Sequence, residues 1–420
     1  MMKALTKVCL AVGIVLCLVF SQTDFAFADE VEPMKKNSYP IVLVHGLTGW
    51  GEDEMLGFRY WGGNRDLNDF LNSKGYEVYT ATVGPVSSNW DRAAELYAYI
   101  KGGTVDYGAA HAKKHGHARF GRTYEGLYPE WTDNSKIHLV GHSMGGQTSR
   151  MLTELLRSGN EEELTYHKQH PEEKEISPLY QGKKKWVHSI TTIGTPHNGS
   201  TYADNIDIFM PFLKDLILTM GVLSGQGPTS MVYDFKLDQW GLKKQPDETF
   251  LEYADRVYQS PVWKSRDISI HDLSTYGAKD LNTKMKTYDD MYYISYTGDA
   301  SYKSLLTGHY LPLADMIPLF LEPSRFIGSY SRNQFEPYID KSWWPNDGLV
   351  SVISSLSPAG HEAVPLNGTI ARGMWNYTAP KYHWDHMDLV GIGRVTDSLN
   401  INQVEDFYIS IAQELSSLPK

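Results

Sequence analysis

The sequence predicts an α/β fold built on a mostly parallel central sheet, and three observations carry that prediction. Ile41–Val44 is a short, unbroken, β-branched apolar run, and Ile137-His138-Leu139-Val140 is a second, the mark of strands buried on both faces. Strand-like runs alternate along the chain with segments of helical period, as in a sheet whose neighbours are joined by helical crossovers. The sequence Gly141-His142-Ser143-Met144-Gly145 falls at one strand-to-helix junction.

In chain order, residues 29–39 are a polar leader and residues 40–420 the folded part. Ile41–Val44 is followed at once by His45-Gly46 and a glycine-rich loop, Thr48-Gly49-Trp50-Gly51. Asp66 to Lys74 reads as a helix, Glu77 to Val83 as a strand, and Asp91 to Lys101 as a helix by composition and period. From Gly102 to Tyr128 the texture changes to Gly, His, Arg and Tyr without clear periodicity, which marks an insertion. The strand at Ile137 to Val140 leads into a helix at Gln147 to Arg157, and the highly charged Glu161 to Lys185 reads as a solvated excursion. Val187 to Ile193 is a further strand. Ile206 to Leu223 places Ile206, Phe209, Met210, Leu213, Leu216, Ile217 and Met220 near helical spacing. Met291 to Tyr296 and Gly348 to Ser351 read as late strands, and Val404 to Leu415 as a closing helix.

Composition narrows the function. The 420 residues carry a formal net charge of -11, with no cluster of Lys and Arg to attract nucleic acid or an anionic membrane. Residues 1–28 read as a secretory signal peptide: Lys3 and Lys7, an apolar stretch from Val8 to Phe20, and Ala26-Phe27-Ala28 as the cleavage site. A retained signal anchor is the alternative. Export with cleavage after Ala28 implies an extracellular protein without a membrane span in its mature chain. Cys9 and Cys17 both fall within the leader peptide, so the mature chain has no disulfide and must be held by its core or by metals.

The chemistry starts at Ser143. A serine between Gly141 and Gly145, after a strand and before a helix, is a nucleophile elbow. Serine needs a base, and the base an orienting acid, in the chain order Ser, Asp or Glu, His. Asp347, in Trp344-Pro345-Asn346-Asp347-Gly348, sits on a turn beside a strand-like piece and is the expected acid. The base is His386 or His383 in His383-Trp384-Asp385-His386-Met387-Asp388, which spacing alone does not separate. Two backbone N–H groups should hold the oxyanion, from Met144 and from Leu47 in the loop after the first strand.

Taken together, four stretches resemble the secreted triacylglycerol lipases of bacilli and staphylococci, members of the α/β-hydrolase superfamily. They are Pro40 to Gly63, Val83 to Tyr124, Val232 to Leu242 and Asn346 to Val350, and the resemblance runs from about Pro40 to the C-terminus. It implies a triad of Ser143, Asp347 and His386. It also implies a zinc subdomain in the insertion at about residues 91–128, with ligands Asp91, His111, His117 and the distant Asp267. Two carboxylates and two imidazoles suit tetrahedral Zn2+. The same resemblance implies a calcium site using Asp385 and Asp388, with Asp397 and the carbonyl of Asp315 as further oxygens. It also makes residues at about 200–226 a lid over an apolar cleft, opening at an oil–water interface onto lipid substrate. A phospholipase or short-chain carboxylesterase on the same fold is the alternative, as is a catalytically inactive secreted binding protein.

Overall fold

Seven strands run parallel in the order β11-β12-β7-β6-β5-β1-β2. The computed structural model describes residues 35–227, 229–393 and 401–420, so the signal-peptide expectation and Asp397 lie outside the described residues. The sheet strands are β1 (Ile41–Val44), β2 (Val78–Ala81), β5 (Ile137–His142), β6 (Val187–Ile193), β7 (Tyr292–Tyr296), β11 (Ala363–Pro365) and β12 (Trp375–Tyr377). Two antiparallel pairs lie outside it, β3 (Gly103–Asp106) with β4 (Phe120–Tyr124) and β9 (Ser301–Lys303) with β10 (Tyr310–Pro312). The two-residue strands β8 (Gly298–Asp299) and β13 (Lys381–Tyr382) pair in parallel.

Helices cover both faces. They include α1 (Leu67–Ser73), α2 (Asn89–Lys101), α3 (Ala109–His115), α4 (Met144–Ser158), α5 (Glu161–Gln169), α6 (Ile206–Leu223) and, at the C-terminus, α7 (Ile401–Ser417). The pleat of β1 shows why its run is apolar throughout. Ile41 and Leu43 join one core with α6 and α7, while Val42 and Val44 join the other with α2 and α4.

The charged stretch after α4 is not merely solvated. It contains α5, whose buried Glu163 accepts the N–H groups of Ala110 and His111 at 3.1 and 2.7 Å and so satisfies the first turn of α3. Gly348 to Ser351 is not a strand either. Gly348 has φ +105°, and the segment closes on itself through Asp347 N–H to Val350 C=O at 3.1 Å. A local turn wins over the apolar character of Leu349 and Val350. The insertion is a β3–β4 hairpin wrapped around α3. Among the described residues no helix is long and apolar enough to cross a membrane.

Candidate active site and metal centre

β5 ends at His142 and α4 begins at Met144, leaving Ser143 alone on the bend with φ +54° and ψ -129°. A non-glycine residue there is strained, by about 1–3 kcal/mol. Its neighbours hold it: Ser143 N–H donates to Ile193 C=O at 2.8 Å, and its own carbonyl accepts from Thr195 Oγ1 at 2.8 Å. A Cβ on Gly145 would run into the Val44 carbonyl, so the bend needs glycine there. Gly46 packs so tightly that a Cβ would lie 2.6 Å from Ser143 Cβ, which places the loop bearing Leu47 directly against the serine.

Asp347 and His386 meet from neighbouring loops. His386 Nδ1 lies 2.7 Å from Asp347 Oδ2, and the His386 N–H donates to the Asp347 carbonyl at 2.8 Å. Asp347 Oδ1 accepts the N–H groups of Leu349 and Val350, so both carboxylate oxygens are engaged and the acid cannot rotate away. His383 points elsewhere: its side chain is 54% exposed and its Nδ1 lies 2.8 Å from Asp315 Oδ2. Ser143, His386 and Leu47 line one cavity; His383 is not among its walls.

A second chain of hydrogen bonds, which sequence reasoning missed, ties this site together from behind. Tyr60 Oη lies 2.6 Å from His142 Nδ1 and accepts the Gly46 N–H at 2.9 Å, while His142 Nε2 lies 3.0 Å from the His386 carbonyl. A carbonyl only accepts, so Nε2 carries the proton. Burial, and then the charge of His386, push His142 well below the usual histidine range, so the ring is neutral and Nδ1 accepts. Tyr60 therefore donates to His142 and spends a lone pair on Gly46. The loop bearing Leu47 and the backbone of His386 are thus joined through two side chains. Only the closeness of His142 to Ser143 in sequence could have hinted at it.

The cavity is apolar and nearly full. It holds about 40 Å3, walled by Trp50, Tyr202, Phe209, Phe212, Leu216 and others. That is room for about three waters, where small-molecule sites usually offer about 300–1,000 Å3. Phe209, Phe212 and Leu216 all belong to α6, so that helix is what fills the space.

On the flank of the sheet, α2 carries Asp91 and Arg92 side by side. The buried Arg92 guanidinium donates to the carbonyls of His45 and Gly84 (the latter at 2.7 Å) and to Thr148 Oγ1 at 2.8 Å. It therefore fastens the start of the Leu47 loop to α4. Asp91 faces the opposite way, into a group with His111, His117 and Asp267 whose donor atoms lie within 4.8 Å of one another. The N···O separations are 3.0 and 3.4 Å from His111 Nε2 and 3.1 and 3.9 Å from His117 Nε2. A tetrahedral ion with bonds of about 2.0–2.1 Å sets its ligand atoms roughly 3.3 Å apart. The donors fit such an ion: Asp91 Oδ1 is buried with no hydrogen-bond partner, and His117 hydrogen-bonds the Ala118 carbonyl through Nδ1, aiming Nε2 inward. Burial, and then the adjacent Asp267 carboxylate, push Asp91 above the usual carboxylate range. Trp90 stacks on His111 at 4.7 Å between ring centres, and Gln239 donates to Asp91 Oδ2 at 2.9 Å.

Of the expected calcium donors, Asp397 lies outside the described residues, and Asp385, Asp388 and Asp315 are placed as follows. Asp385 accepts the Ile317 N–H through Oδ2 and the N–H groups of Met387 and Asp388 through Oδ1, so it organises the turn around His386. Asp388 Oδ2 accepts the Asp385 N–H at 2.8 Å, and its Oδ1 abuts Gly393, at the start of the stretch leading to Asp397. Asp315 turns its carboxylate to His383. These acids do not converge as a group of three or more donors among the described residues.

A parallel sheet with a serine on the bend after its inner strand β5 and late loops delivering an acid and a histidine defines a protein of the α/β-hydrolase type. Within that class, residues 37–419 match the family described as lipase-like, C-terminal domain, and the chain belongs to it. A lipase of Staphylococcus epidermidis is 44% identical over 384 residues, covering 90% of this chain and 54% of that protein. The chain thus spans about half the length of the curated relatives it matches. Among solved structures, lipase 1 of Pelosinus fermentans is similar with a TM-score of 0.82 and 49% identity, covering 91% of this chain and 100% of that one. Staphylococcus hyicus lipase follows with a TM-score of 0.78 and 37% identity, covering 92% and 97%.

Proposed function

We propose that this chain hydrolyses the carboxylic ester bonds of lipids, triacylglycerols first among them, through an acyl-enzyme. One observation carries the reading: a strained serine shares an apolar cavity with a histidine whose far nitrogen is held by a fully engaged carboxylate. His386 takes the proton of Ser143 as the oxygen attacks the ester carbonyl. The N–H groups of Leu47 and Met144 receive the oxyanion, helped by the N-terminus of α4. His386 then gives the proton to the leaving alcohol, and water repeats the sequence on the acyl-serine. Asp347 keeps Nδ1 protonated and stabilises the imidazolium.

The α6 helix acts as the lid in this reading, since an acyl chain fits the cleft only after Phe209, Phe212 and Leu216 move out. Asp91, His111, His117 and Asp267 would hold Zn2+, which supplies a structural clamp between α2, the α3 insertion and the segment at residue 267. Asp385, Asp388 and Asp397, with the carbonyl of Asp315, supply the oxygens proposed for calcium. Residues 1–28 serve as the export signal. Hydrolysis of emulsified triolein, egg phosphatidylcholine and soluble 4-nitrophenyl butyrate, run beside fluorophosphonate labelling of Ser143, tests the reading. Fast triolein turnover with stoichiometric labelling is expected. Turnover confined to the soluble ester would make the chain a short-chain carboxylesterase, and absence of labelling would sink the hydrolase reading.

A further inference from the structure

Leu305 and Leu306 stand in water with 101% and 97% of their surface exposed, a pair without parallel among the described residues. They are not on a frayed loop. They sit at the tip of the β9–β10 hairpin, which is closed by Ser304 N–H to His309 C=O at 2.8 Å and Gly308 N–H to Ser304 C=O at 2.9 Å. Ser304 Oγ accepts the N–H groups of Leu306 and Thr307 at 3.3 Å, which turns the tip inside its own backbone and leaves both leucine side chains outside.

The base of the hairpin is anchored at the active site. Ala300 N–H donates to the Asn346 carbonyl at 3.0 Å and Asn346 N–H to Ser301 Oγ at 3.1 Å, immediately before Asp347. His309 packs edge-on to Trp344 at 5.0 Å. The hairpin follows the C-terminal end of β7 and so leaves the sheet at the edge that carries Ser143.

Its composition identifies what it meets. From Ser301 to Ala314 there is no Asp or Glu on a chain of net charge -11, only Lys303, His309 and the half-exposed Tyr302 around the two leucines. Apolar tips ringed by tyrosine and a lysine that can snorkel suit a lipid–water boundary. Two leucines are far too little for a stable protein partner, which needs about 800 Å2 from each side. The net negative charge disfavours anionic lipid. We propose that the Leu305–Leu306 tip is an anchor that inserts into the surface of a neutral lipid droplet and holds the cavity mouth against it. This rests on the ester-hydrolase reading for its purpose, but not for its test.

The test is flotation of the full chain with triolein droplets, comparing it with L305S/L306S and with the conservative L305I/L306I. The serine pair should adsorb about tenfold or more weakly, from the loss of two leucine burials, and the isoleucine pair should adsorb like the parent. Turnover of soluble 4-nitrophenyl butyrate should stay within about twofold in all three, because neither residue contacts anything whose loss would disturb the fold. Equal adsorption of parent and serine pair would overturn the proposal, as would a parent dimer that the serine pair converts to monomer. A parent that adsorbs but hydrolyses no ester would defeat the proposed activity, while the adsorption difference would still decide the anchor.

Discussion

The bend at Ser143 and the candidate metal group on the flank of the sheet are built on opposite principles. At Ser143 the geometry is imposed by sterics and local hydrogen bonds: a glycine where a Cβ would strike the Val44 carbonyl, a positive φ, a backbone hydrogen bond to β6 and one from the Thr195 hydroxyl. At Asp91, His111, His117 and Asp267 it comes from charge: two buried acids and two imidazoles drawn from three separate segments. Sterics make a site that is right whenever the chain is folded. Convergent charge makes one suited to a bound cation.

The sharpest way to break the comparison is Ser143→Ala, which should lower ester turnover by about 10^5-fold or more while shifting the thermal midpoint by only a few degrees. Initial rates and a melting scan decide it; if most turnover survives, the assignment of the nucleophile fails. Acid should damage stability next. His45, His138, His142 and His197 are fully buried with pKa values pushed down, that of His138 to about 3, in each case first by burial. The unfolded chain binds these protons below about pH 6.5 and the folded one does not, so stability falls as pH drops from about 6.5 toward 5. For His138 the loss is about 2 kcal/mol at pH 5, and the other three act in the same direction. Denaturant midpoints at pH 7 and 5 measure it.

Metal removal comes third. Chelation, or Asp267→Asn, should lower the melting temperature by about 5 °C, the equivalent of about 4 kcal/mol for an ion present at roughly 1,000 times its Kd. Added Zn2+ should restore the chelated parent but not the variant; an unchanged midpoint would remove the ion from the account. The smallest effect tests the link behind the serine. Tyr60→Phe leaves the Gly46 N–H and His142 Nδ1 unpaired in the interior, and about 1–3 kcal/mol of disorder there should appear as a fall in kcat of roughly tenfold with KM little changed. A change in KM alone would make Tyr60 a cleft wall and nothing more.

What could be read in advance follows the same division. β1 and β5 declare themselves because two-sided burial demands unbroken apolar runs, and the elbow because glycine spacing is a local steric necessity. α6 shows its period plainly. β11 and β12 do not, since three residues such as Trp375-Asn376-Tyr377 at the border of a sheet have no room for a pattern. Gly348 to Ser351 misleads because two apolar residues in a turn look like the start of a strand. Asp267 reaches the metal group from 156 residues beyond His111, a distance no spacing rule spans, and only resemblance supplied it. The Tyr60–His142 chain and the grip of Arg92 exist only in three dimensions. Asp385 is legible as an acid beside the histidine, but not as the acceptor of three backbone N–H groups.

Asp91 and Arg92 are neighbours on one turn of helix, the first reaching into the ion-binding group and the second gripping the carbonyls that precede Leu47. Under the proposed function, the ion's clamp and the loop beside the nucleophile would therefore share a single peptide link. On the proposed reading, loss of a bound ion would be felt at the loop bearing Leu47 through this link, well before the sheet itself gives way.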